Sequence, residues 1–101
     1  MSGKHPAQFE REMGCLAEEF RGWLPGASRF APIRWMQSDA AEVGLPGAGS
    51  LRLSWSTLPN RRLGLVSLPR LLVTFDFGSA SSQQRDDYMR YFDLYTQRGG
   101  G

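Results

Sequence analysis

The side chains that could do chemistry in this 101-residue chain are few and scattered. His5 is the only histidine and Cys15 the only cysteine. A histidine working as general acid or base needs a second group to orient its ring. His5 lies in a polar lead-in, MSGKHPAQFE, and is expected as an exposed terminal ring. Cys15 has Glu18 and Glu19 at i+3 and i+4, which oppose a thiolate more than Arg11 at i−4 supports one, so an incidental exposed thiol is expected. Asp76 shares the parity of Thr74 in a run of apolar residues, where a solvated or arginine-paired carboxylate is expected. Asp86, Asp87 and Asp93 stand in no metal-ligand spacing and read as a charged helix face. A single cysteine excludes an internal disulfide and a multi-cysteine metal centre, and no P-loop, GxGxxG or GxSxG occurs. The expectation is a non-enzymatic protein with no catalytic residue, no metal ligand and no cofactor.

The basic residues carry a second kind of chemistry. Lys4 is the only lysine among the twelve Lys and Arg, so the rest are arginines, whose planar fork suits phosphate and carboxylate. A GC-rich bacterial genome accounts for that bias without a function. The net charge of +2 is too small to imply a polyanion partner by itself. Arg61 and Arg62 are expected in one turn of a β-meander, Arg70 near the next, and Arg52 on the polar face of the sheet. Turns at opposite strand ends would hold Arg61 and Arg62 apart from Arg70 by about 3.3 Å per strand residue.

The elements that would position these groups centre on Ser50 to Phe77. Leu51, Leu53 and Trp55 alternate with Arg52, Ser54 and Ser56, and Leu71, Val73, Phe75 and Phe77 alternate with Leu72, Thr74 and Asp76. Period two marks strands with one buried face. Leu63 to Leu68, mostly apolar, is expected as a central strand covered on both sides, with turns at Pro59-Asn60 and Ser67-Leu68-Pro69. Phe9, Met13, Leu16, Phe20 and Trp23 fall on one helical stripe, predicting a helix over 7–24 that starts at Pro6 and stops at Pro25-Gly26. Ile33 to Gln37 suggests a short strand, and 38–49 a loop. Ser81 stands three before Gln84, as in a capping box, and opens a second helix whose apolar face is Tyr88, Tyr91, Phe92 and Tyr95. Asp86 and Arg90 are expected to pair on its solvent side.

The result is one α+β domain over 1–101, in order α-(β)-β-β-β-α. It is expected as a two-layer sandwich, a three- to four-stranded antiparallel meander with both helices on one face, with flexible tails at 1–6 and 98–101. The order α-β-β-β-α resembles that of double-stranded RNA-binding domains, with GSASSQQR where that family begins its second helix. Where the family grips phosphate with a lysine cluster, this chain has Gln83, Gln84, Arg85, Asp86 and Asp87. The ending Arg98-Gly99-Gly100-Gly101 is similar to the diglycine tail of ubiquitin-like proteins, although a helix and not a strand precedes it.

No apolar run approaches the roughly 18 residues of a membrane span and no secretory h-region is visible, so a cytoplasmic soluble protein without a membrane partner is expected. The open sheet face is expected to carry Arg52, Ser54, Ser56, Leu72, Thr74 and Asp76. Three functions follow. The first is an interaction module for a protein partner or a homodimer, working through that face, an edge strand or the 38–49 loop. The second is a weak nucleic-acid binder using Arg52, Arg61, Arg62 and Arg70. The third is a small enzyme completed across a dimer interface.

Overall fold

A computed structural model, describing residues 5–98, places the alternating segments in one antiparallel sheet. The chain runs β1 (Gln8–Met13), α1 (Ala17–Ala27), β2 (Ile33–Gln37), β3 (Ala40–Gly44), β4 (Ser50–Leu63), β5 (Val66–Asp76) and α2 (Ser82–Arg98). The strands lie in the order β1-β5-β4-β3-β2. The fold is α+β, with five strands where three or four were expected and a strand ahead of the first helix. That order, β-α-β-β-β-β-α, also departs from the RNA-binding domains named above.

Both helices cover one face. Leu51, Leu53, Trp55, Leu71, Val73, Phe75 and Phe77, all of one parity, are buried beneath them. Phe20 of α1 meets Trp55 with ring centroids 5.0 Å apart, and Phe92 of α2 stands edge-on to Phe75 at 5.5 Å. Phe20 and Phe92 also approach each other at 6.3 Å, so the helices join over the sheet. Ser28 and Tyr88 share a hydroxyl–hydroxyl bond of 2.8 Å that gives two inward-facing polar groups a partner.

The predicted first helix is split. Residues 8–13 form an edge strand on β5, with Phe9 opposite Phe75 and their rings stacked at 4.8 Å. Phe9, Arg11 and Met13 point toward the helices, and Arg11 hid the period-two signal because a cation occupies an inward position. Its guanidinium lies 5.9 Å from the Phe75 centroid and pairs with Asp93 of α2. An inward arginine is tolerated when its stem covers apolar surface and its head finds a carboxylate. Helix α1 begins only at Ala17, where the Glu19 carboxylate accepts the Leu16 N–H at 2.8 Å. It then runs through Pro25 to Ala27, past the predicted stop.

Three more expectations change. Cys15 is buried at 1% exposure, and burial, with Glu19 adding to it, pushes its thiol up to about 11. His5 is half-buried, with Nδ1 3.2 Å from Asp86 and its ring on Phe9 at 5.6 Å. Asp86 therefore faces His5. The expected loop 38–49 contains β3, with Ala41 and Val43 in the core. Its remainder docks on α2, because Gln84 donates to the carbonyls of Pro46 at 3.0 Å and Ala48 at 2.7 Å.

The strand at Ile33–Gln37 and the second helix stand as predicted. The capping box forms, with Ser81 N–H donating to Gln84 Oε1 at 2.9 Å and Gln84 N–H to Ser81 Oγ at 3.2 Å. Of the expected tails, 1–4 and 99–101 lie outside the described residues, and with them the glycine ending.

Candidate interaction surface

The largest correction concerns the meander. No separate central strand exists at 63–68; β4 and β5 are one long hairpin whose turn is Gly64-Leu65. Gly64 takes φ 63°, the left-handed region that glycine enters without steric cost. The other strands stop early. β3 accompanies β4 only as far as Ser54, and β1 accompanies β5 only between Asp76 and Leu71. From Leu58 and Arg70 outward the two strands pair only with each other, as an arm about 17 Å long at roughly 3.3 Å per residue.

Pro59 and Asn60, the expected turn, lie at an irregularity in this ladder. Leu58 pairs with Arg70 and Arg61 with Leu68, so β4 spends three residues where β5 spends two. A bulge of this kind shifts side-chain parity by one. Without it Arg61 and Leu63 would point to the helix side. With it they join Arg70, Leu68 and Val66 on the open side, since residues directly opposite share a face. Arg62, opposite Ser67, turns to the reverse side.

The apolar residues on the arm are therefore bare. Leu63 is 57% exposed, Val66 54%, Leu68 40%, and Leu65 at the tip is fully exposed. They form a stripe that continues the open sheet face beyond the body. Beside its root, Arg70 grips Glu12 of β1 with two bonds, Nε to Oε2 at 3.0 Å and Nη2 to Oε1 at 2.9 Å, and Arg61 adds a third at 3.3 Å. The Arg70 bond is the largest influence holding the Glu12 carboxyl below its usual range, and Glu12 raises Arg70 in turn. Arg61 and Arg70, expected at opposite ends, thus converge.

The six face residues are brought together as expected from parity. Arg52 lies opposite Asp76, Ser54 opposite Thr74, and Ser56 opposite Leu72. Around them stand Glu10 of β1 and Glu42 of β3. Glu42 is held by Ser50 at 2.9 Å and Arg34 at 2.7 Å, which lower its pKa in that order.

A second concavity was not legible. Residues 27–32, the β3–β4 turn and α2 enclose about 460 Å³ lined by Ala, Pro, Leu and the rings of Tyr88 and Tyr91. At its rim Arg29 and Phe30 both adopt left-handed backbone, φ 54° and 59°. The turn is held by the Phe30 N–H on the Pro25 carbonyl at 2.8 Å, a helix-closing bond. Arg29 lies over Tyr91 at 4.4 Å, and Phe30 is left exposed.

Among the described residues no helix is long and apolar enough to cross a membrane, and no group of three His, Cys, Asp or Glu could hold a metal ion. No protein-family model matches the chain, and no curated protein matches it in sequence.

Proposed function

We propose that the chain is a non-enzymatic interaction module that docks on a protein through the open-face side of the β4–β5 arm. The observation that carries this reading is the bare stripe of Leu63, Val66 and Leu68, gathered on one side by the bulge at Pro59-Asn60. Full burial of one such side chain in a partner is worth about 1.5–3 kcal/mol. The edges of the arm are poor docking sites. Pro59 on β4 and Pro69 on β5 lack the N–H an added strand would use, and bulges and prolines are the devices that discourage edge pairing. The face, not the edge, is the sticky part.

A cytoplasmic bacterial setting belongs to the same reading. It is supported by a lone buried thiol with no cysteine to pair with, as suits a reducing compartment, and by the arginine bias.

The test is a photo-crosslinking residue at position 65, with position 83 on the exposed side of α2 as control. Discrete protein adducts from 65 alone, lost in a Leu63→Glu background, are the expected outcome. Adducts that nuclease removes, or none at all, would sink the reading.

A polyanion partner is the second reading, favoured by the gathering of Arg61, Arg62 and Arg70 on one arm. Glu12 opposes it, since its carboxylate binds two of the three and offsets one of their charges. It predicts duplex binding whose logarithmic salt slope is at most about −3 for three phosphate contacts, weakened by Arg61→Ala/Arg62→Ala. Binding that is absent or indifferent to salt excludes it.

A further inference from the structure

We infer that the protein docked by the arm is a second copy of this chain, laid antiparallel so that each arm crosses the open sheet face of the other. This rests on the docking reading and names its partner.

On the open face of the body, Glu10, Glu42 and Asp76 stand against Arg34 and Arg52, leaving one excess negative charge. On the arm, Arg61 and Arg70 stand against the Glu12 they grip, leaving one excess positive charge. No carboxylate occurs anywhere between Leu58 and Arg70, and Arg62 adds a further cation on the reverse side. The face is thus a charge dipole along the strand direction. A two-fold axis across the strands lays positive arm over negative body twice, as an isologous interface requires.

The arm offers six side chains on its open side, against the roughly 20–30 residues a side of a standard interface. Contact limited to the arm is too small. Crossing the body adds the rungs from Ser56–Leu72 to Arg52–Asp76. Measured from the Leu58–Arg70 rung, the arm spans about 17 Å and the body run to Arg52 about 20 Å at the rise of a strand, so the arm fits within the face it crosses.

Leu72 is the aliphatic residue among the six expected on the body's open face, and it is only partly buried. An axis through the Leu58–Arg70 rung brings Leu68 of each copy onto Leu72 of the other, so the stripe meets apolar surface where the body has it.

Sedimentation of the full chain from about 1 µM to 1 mM tests this. The expected species is a dimer of twice the 11.3 kDa protomer. Arg61→Glu alone and Glu10→Arg alone each weaken it at least tenfold, by setting like charges against each other. Mixing these two variants restores association, because every arm then crosses a body of opposite sign. Circular dichroism of each variant confirms that it is folded, and Leu63→Gln, which leaves the charge unchanged, supplies an independent break of the apolar contact. A monomer throughout overturns the inference, as does a dimer indifferent to all three substitutions. The two readings fail separately. Monomeric protein that still crosslinks another protein from position 65 leaves the docking reading intact with a different partner, whereas monomer without adducts removes both.

Discussion

The root and the arm of one hairpin are built from the same residue types and end in opposite environments. Between Leu51 and Trp55, and between Leu71 and Phe75, every second side chain is sealed beneath two helices. A few residues further along the same hairpin, Leu63, Leu65 and Leu68 stand in water. Hydrophobicity does not separate the two regions. What separates them is which neighbours the topology supplies, helices and flanking strands at the root and nothing beyond Leu58. Apolar surface that the fold leaves uncovered is a statement about association.

The largest effect expected is a truncation made in both regions. Phe75→Ala removes a ring stacked on Phe9 and edge-on to Phe92, and a buried Phe-to-Ala change costs about 3–5 kcal/mol. Leu65→Ala leaves no cavity, and its effect on monomer stability is within about 0.5 kcal/mol. Urea denaturation of both reads the contrast directly. Similar midpoints would mean that the root is not the core described here.

A thiol placed in each region sharpens the contrast chemically. With its pKa near 11 against an ordinary 9.0, Cys15 carries about 100-fold less thiolate at pH 8, and its burial slows alkylation further. A Leu65→Cys thiol should react with iodoacetamide at the rate of a free peptide. The sign of the linkage follows: the folded state holds the proton more tightly, so stability falls as pH rises from about 9 toward 11. Rapid labelling of Cys15 in folded protein would contradict its placement.

The seam between the helices gives the next effect. A Cβ at Gly26 would overlap the ring of Tyr95. Gly26→Ala is therefore expected to destabilise by about 1–3 kcal/mol, as overpacking does, although alanine is the better helix former. The double variant with Tyr95→Phe keeps most of that cost, because ring carbons clash as well as the hydroxyl; full recovery would locate the clash at the oxygen alone.

How much of this was legible follows the same division. The root strands were readable because strict alternation records one covered face, and α2 because its aromatic face and the Ser81–Gln84 box agree. β1 was hidden by Arg11, whose inward position depends on Asp93, 82 residues away. β3 is five residues of Ala, Glu, Val and Gly between turn residues, too short to show a period. The six open-face residues followed from parity alone. The convergence of Arg61 and Arg70 on Glu12 did not, because it needs the turn at Gly64 and the bulge at Pro59-Asn60. A bare leucine stripe and a doubly covered strand look alike in one dimension. Neither the groove beside Phe30 nor the left-handed pair at its rim leaves a periodic trace.

The smallest effect concerns the joint between the two regions. Glu12 belongs to the body, and the arginines it binds belong to the arm, so its ionisation sets how firmly the arm root is held. Its folded pKa lies below the ordinary 4.5, chiefly through the Arg70 bond. Above about 4.5 the carboxylate is charged folded or unfolded, and the tether is fully present. Its contribution is lost as pH falls through the lower folded value. Because the pair is solvent-exposed, global stability should barely register the change. The Arg70 Nε–H resonance is the better reporter: it should shift toward a free guanidinium on acidification below pH 4.5, and already at neutral pH in Glu12→Gln. If that resonance is the same in wild type and Glu12→Gln at pH 7, the arm is not tethered through Glu12, and the charge division between arm and body must be redrawn.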